Sequence, residues 1–115
     1  MNFFLALLIK HAIVDLAVQA YLKNVNKISY ISNAHWHYAH HGISTLIIAL
    51  FFVDPTIAAM CAIIDYIAHW HIDFAKHHVN IYFKIKTRSI TWWWTNAIDT
   101  AFHFITYYAI VQFAF

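Results

Sequence analysis

The chain has 115 residues, 63% hydrophobic and 10% charged, with a formal net charge of +2, whereas soluble domains average about 45–50% apolar and about 25% charged. A chain this short buries only about 60–70% of its surface on folding, so the composition excludes an ordinary soluble globule and predicts a single integral membrane domain. The small charge, with no basic patch interleaved with aromatics, excludes nucleic acid as a partner.

Residues 2–22 predict a first helix, long enough for a span of about 20 residues. No small-residue cleavage site follows it, so it reads as a retained helix and not a signal peptide. It carries His11, Asp15 and Gln19 at i, i+4 and i+8, which places them on one face. Lys10 lies off that face and either snorkels or enters the bundle. A polar connection covers 23–37, with Tyr30 and Trp36 as interfacial aromatics. The second predicted helix, 38–53, opens with His40, His41 and Gly42. Asp54-Pro55 then reads as a tight turn, with Asp54 as N-cap and Pro55 at the first helical position.

The third helix, 56–76, closes on Asp65, His69 and Asp73, again four residues apart. Residues 77–94 form a basic connection with Lys84, Lys86 and Arg88. The alternation of Val79, Ile81, Phe83 and Ile85 suits a short strand or an interfacial segment, and Trp92–Trp94 an aromatic belt. The fourth helix, 95–115, carries Asp99, His103 and Tyr107 at the same spacing. The expectation is therefore an all-α, four-span membrane bundle. Connections 23–37 and 77–94 hold Lys23, Lys27 and the basic residues named above, while the second connection holds no Lys or Arg. The positive-inside rule places the first and third connections in the cytoplasm.

Counted inward from the cytoplasmic ends, Gln19, His41, Asp73 and Asp99 fall about one turn deep. Asp15, His69 and His103 fall about two turns deep, and His11 and Asp65 about three. An unpaired carboxylate in hydrocarbon costs roughly 2.5 kcal/mol or more, so ionisable side chains at matching heights on four helices predict a site. Imidazole and carboxylate are ligands of zinc, iron and manganese, and helix bundles build metal centres from such i, i+4 pairs. The expected ligands are His11, Asp15, His41, His69, Asp73, Asp99 and His103, holding one or two divalent transition-metal ions, zinc or iron. Gln19, Lys76 and Tyr107 suit the role of orienting those ligands.

Weaker patterns were weighed against this one. Cys61, the lone cysteine, reads as a small core hydrophobe and excludes a disulfide or a Cys-based zinc site. One glycine excludes a Gly-rich phosphate loop. Ser44 and Thr45 have no activating neighbours that mark a nucleophile. His37-Tyr-Ala-His40-His41 resembles one histidine box of the di-iron membrane desaturases and hydroxylases, but those families need three boxes. His35, His37 and His40 read as interfacial residues. The metal-free alternative is a His–Asp hydrogen-bond network or proton relay.

The motifs His11-x-x-x-Asp15-x-x-x-Gln19, His41-Gly42, His69-x-x-Ile72-Asp73-x-x-Lys76 and Asp99-x-x-x-His103, in that order, resemble the small bacterial and bacteriophage membrane proteins of domain-of-unknown-function family 3307. The resemblance covers nearly the whole chain, with Thr100 standing where the family commonly has Gln. It implies the fold, the site and a bacterial or phage inner-membrane setting, and it implies no reaction.

The function expected first is an intramembrane metal-dependent hydrolase acting on a lipid-like or membrane-embedded substrate. The metal would lower the pKa of a bound water to roughly 7, with Asp65 or Asp73 as general base. The second expectation is a non-enzymatic membrane or virion-assembly subunit, in which the aromatic surface (19% of residues) packs against lipid, further copies or other partners. The third is an ion or proton pathway along the His/Asp ladder.

Overall fold

The computed structural model describes residues 2–18 and 29–115. Gln19, Lys23 and Lys27, named above for the site and the first connection, lie outside the described residues. Within them every element is helical. The order is α1 (Phe3–Ala12), a π-helical segment (Ile13–Val18), α2 (His35–Ala49), α3 (Pro55–Tyr82) and α4 (Ile90–Ala114).

Short polar side chains start three of the helices. Asn2 accepts from the Leu5 amide at 2.7 Å, and Ser89 accepts from the Trp92 amide at 3.2 Å. Asp54 caps α3 as expected, accepting from the Thr56 and Ile57 amides at 3.0 and 3.1 Å with Pro55 opening the helix. Asp54→Ala is expected to lower stability by about 1 kcal/mol, and Asp54→Ser by much less. Denaturation midpoints of the two variants in one detergent check this.

The helix boundaries differ from the sequence reading: α1 gives way to the π-helical segment at Ile13, α2 ends at Ala49 and not 53, and three further limits shift. α2 begins at His35, not 38, without a side-chain cap. α3 continues through Val79 and Ile81 to Tyr82, and α4 begins at Ile90, so the turn between them is 83–89 and no strand occurs among the described residues. The cause is cooperativity. Once α3 exists, each added residue gains a backbone hydrogen bond without a new nucleation cost, and the Phe83 amide still bonds the Val79 carbonyl at 3.0 Å. The turn is closed by Lys84 and Arg88 in the left-handed region, at φ 52° and 66°.

Each helix turns one narrow stripe inward. α3 buries Ala58, Cys61, Asp65, His69 and Asp73, and α4 buries Asp99, His103, Tyr107 and Ile110. The pairs Asp73–His103 and Lys76–Asp99 fix these two helices as antiparallel neighbours. α2 and α3 approach closely at Gly42, where a Cβ would lie 3.4 Å from both the Ala62 carbonyl oxygen and the Tyr66 Cβ.

The stripes change character along the bundle, whose extents are 44 × 25 × 22 Å. One end is an apolar core of Phe3, Leu7, Ala49, Ala58, Cys61 and Ile110. Beyond it most of the buried residues are polar: Lys10, Thr45, Asp65, then His11, His37, His41, His69, His103, then Asp73 and Asp99, with Val14, Ala34 and Tyr38 buried beside them. The outer faces are the reverse, with Leu5 and Ile9 on α1, Ile13 on the π-helical segment, Ile43 and Ile47 on α2, Ile63 and Ile67 on α3, and Ile98, Phe102 and Ile105 on α4 all exposed. Buried polar groups under a broad apolar exterior invert the usual arrangement. No described helix is both long and apolar enough to cross a membrane.

Candidate metal centre

Four ligand atoms converge from three elements. Asp15 comes from the π-helical segment, a wide turn of the kind that recurs at functional sites. His37 and His41 stand one turn apart on α2, and His69 stands on α3. Asp15 Oδ1 lies 3.2 Å from His37 Nε2, 3.2 Å from His41 Nε2 and 3.7 Å from His69 Nε2. His37 Nε2 and His69 Nε2 are 3.2 Å apart. A tetrahedron with metal–ligand distances of about 2.0–2.1 Å has edges of roughly 3.3–3.4 Å. Three of these separations are close to such an edge, the four atoms all lie within 4.8 Å of one another, and they could hold a metal ion.

The chemistry of the donors points the same way. Two imidazole nitrogens facing each other at 3.2 Å repel unless one carries a proton or a cation lies between them. A cation accepts the lone pairs of all three histidines and the carboxylate at once. His37, His41 and His69 are fully buried, while the Asp15 side chain is 32% exposed, so the centre meets its surroundings at Asp15. The rings are layered: His41 stacks on His69 at 3.7 Å and His69 on His103 at 4.1 Å.

A second group adjoins the first. Asp73 Oδ1 lies 3.2 Å from His103 Nε2, and Asp99 Oδ1 lies 3.4 Å from the same nitrogen. The other oxygen of Asp73 lies 3.4 Å from His69 Nε2. Asp73 thus faces both groups with different oxygens. Asp73, Asp99 and His103 form a second cluster that could hold an ion, and His11, His69 and His103 a third.

The surrounding side chains hold these donors in place. Tyr107 Oη lies 2.7 Å from His11 Nδ1, which leaves His11 Nε2 directed at Asp15 Oδ2, 3.6 Å away. Lys10 donates to Asp65 Oδ2 at 2.7 Å and to Tyr107 Oη at 3.2 Å, and its Nζ lies 3.2 Å from His41 Nδ1. Thr45 Oγ1 also donates to Asp65. Lys76 donates to Asn96 Oδ1 at 3.3 Å and to Asp99 Oδ2 at 3.4 Å. Among the described residues His37 Nδ1 and His69 Nδ1 are buried without a hydrogen-bond partner.

All seven expected ligands are brought together: His11, Asp15, His41, His69, Asp73, Asp99 and His103. Lys76 and Tyr107 stand behind them. Asp65 stands one layer away, engaged by Lys10 and Thr45. Gln19 falls outside the described residues. Lys10 enters the bundle, the second of its two expected fates. His41 lies deeper than counted, level with Asp15 and His69, because α2 starts at His35.

His37, expected to be interfacial with His35 and His40, is instead fully buried in the four-atom set. The signal was present, since His37 and His41 stand at i, i+4 like every other pair in the ladder. Of the H-x-x-H-H run, His37 and His41 share one centre, and His40 belongs to none of the clusters among the described residues. His35 instead joins an aromatic group beside the centre, its Nδ1 against Tyr66 Oη and its ring 4.5 Å from Trp70.

No protein-family model, curated protein or solved structure matches this chain.

Proposed function

We propose that the chain is an integral membrane metalloprotein that hydrolyses an ester or phosphoester of a lipid-like substrate. One observation carries the reading: one ligand atom each from Asp15, His37, His41 and His69 lies within 4.8 Å of the others in the middle of the bundle. Three imidazoles and one carboxylate suit zinc. Asp73, Asp99 and His103 would hold a second divalent ion.

The membrane setting is supported by the exposed apolar faces and by a 44 Å long axis, against a hydrocarbon core of about 30 Å. The described α1 and α2 are short, at 10 and 15 residues, while α3 and α4 are long enough but devote their inward stripes to polar residues, most of which are satisfied by one another and not by lipid. The bacterial or phage inner membrane and family 3307 belong to the same proposal, on the order of the motifs.

When bound, the ions supply Lewis acidity for polarising the bond under attack. The chain supplies the rest. Asp15, partly exposed, marks the approach for water and substrate. His11, fixed by Tyr107 at Nδ1, holds or releases a proton at Nε2 beside Asp15. Of the two carboxylates expected as general base, Asp65 is tied to Lys10 and Thr45, so it acts on the centre only through Lys10.

The test is metal content by elemental mass spectrometry on protein purified in detergent without a metal-binding tag. One to two equivalents of zinc are expected, with one equivalent fewer in Asp15→Ala and in His69→Ala. Background metal in all three, with the variants still folded, would overturn the metalloprotein reading. The ladder would then be a hydrogen-bond or proton network.

A further inference from the structure

We propose that the groove between α3 and α4 binds a single-chain amphiphile with a phosphate headgroup, and that this is the substrate's route to the centre. The inference rests on the metalloprotein reading for the route, but the groove itself stands on geometry. It encloses about 390 Å³, within the roughly 300–1,000 Å³ usual for small-molecule sites. Its walls are apolar: Ile72 and Val79 from α3, Ile98 and Phe102 from α4. Val79, Ile98 and Phe102 are exposed, so the groove opens on the same apolar exterior as the outer helix faces. An alkyl chain can enter sideways without leaving an apolar surrounding.

The inner edge of the groove is charged. Lys76 and Asp99 both line it. Lys76 spends two donors on Asn96 and Asp99, at the long distances of 3.3 and 3.4 Å. An ammonium has three donors, so one remains for an anion. Asp99 joins the groove to the centre: Oδ2 meets Lys76, and Oδ1 lies 3.4 Å from His103 Nε2. A headgroup on Lys76 is therefore one carboxylate away from the second ion cluster.

Charge selects the headgroup. An anionic head can accept from the third donor of the Lys76 ammonium, whereas a cationic head would be repelled by it and a neutral head would gain only an uncharged acceptor.

The probe is dodecyl phosphate carrying a photoreactive diazirine in its chain, added to the full chain in a neutral detergent. Labelling is expected within 72–79 and 98–102. Unlabelled dodecyl phosphate should compete and dodecyltrimethylammonium should not. Lys76→Gln is expected to weaken phosphate binding about tenfold, as for loss of one charge-assisted hydrogen bond, and Ala75→Trp to block labelling by filling the groove. Labelling spread evenly over the outer faces, or equal competition by the phosphate and the ammonium, would overturn the proposal. If Ala75→Trp does not fold, an unchanged affinity in Lys76→Gln overturns it alone. Zinc is measured on the same samples. Zinc without groove labelling removes the groove and keeps the centre. Labelling that survives chelation in a protein with no zinc keeps the groove and removes the hydrolase.

Discussion

Lys10→Met is expected to destabilise the bundle by about 3–5 kcal/mol, the cost of leaving one partner of a buried ion pair alone. Lys10 and Asp65 meet at 2.7 Å with side-chain exposures of 2% and 1%, so no solvent can take over the abandoned carboxylate. Met matches the length of the Lys stem, and the loss is therefore electrostatic, not a cavity. The double variant Lys10→Met/Asp65→Leu should recover most of the loss, because replacing both members of a buried pair by apolar groups is often close to neutral. Denaturation of the three proteins in one detergent measures this. A single variant as stable as the parent would mean that the pair is not formed. A double variant no better than the single would mean that the damage comes from Thr45, Tyr107 and His41 losing their partner.

Asp73→Asn is expected to cost one full equivalent of zinc. Its two oxygens face His103 and His69 separately, and an amide offers only one acceptor in place of two. The ion at Asp73, Asp99 and His103 should be lost. The ion at the four-atom centre should remain but weaken by about 10–100-fold, the usual effect of removing a group that positions ligands. Equilibrium dialysis against a zinc series, read by elemental analysis, gives stoichiometry and affinity together. Two equivalents at unchanged affinity in the variant would show that the carboxylate is not shared.

The inward faces were largely legible in the sequence. His11-Asp15, Asp65-His69-Asp73 and Asp99-His103-Tyr107 each recur at four residues, and nothing but a helix puts that spacing on one line. Asp54-Pro55 was legible for the same local reason: a cap and a first-turn proline act within four residues. What escaped depends on distance in the chain. The start of α2 at His35 has no capping side chain to mark it, so His37 was assigned to a connection. The extension of α3 to Tyr82 comes from cooperativity with the preceding turns, which outweighs the alternation of Val79, Ile81 and Phe83. Lys10 has its partner Asp65 in another helix, and a lone cation in an apolar run does not announce that partner. The π-helical turn that carries Asp15 has no signature in residue type.

The core of this bundle is built in two storeys. The storey of Phe3, Leu7, Ala49, Ala58, Cys61 and Ile110 needs only burial to form. The storey of His37, His41, His69 and Asp15 brings imidazole lone pairs face to face, which resist closure unless a proton or a cation lies between them. Assembly therefore has a direction: the apolar ends of all four helices can zip first and deliver the histidines already gathered, and a metal ion would close the other end last. On that order the apolar storey forms without metal, whereas a zinc finger has no fold until metal binds. A metal ion would bear only on how the far end of the bundle closes.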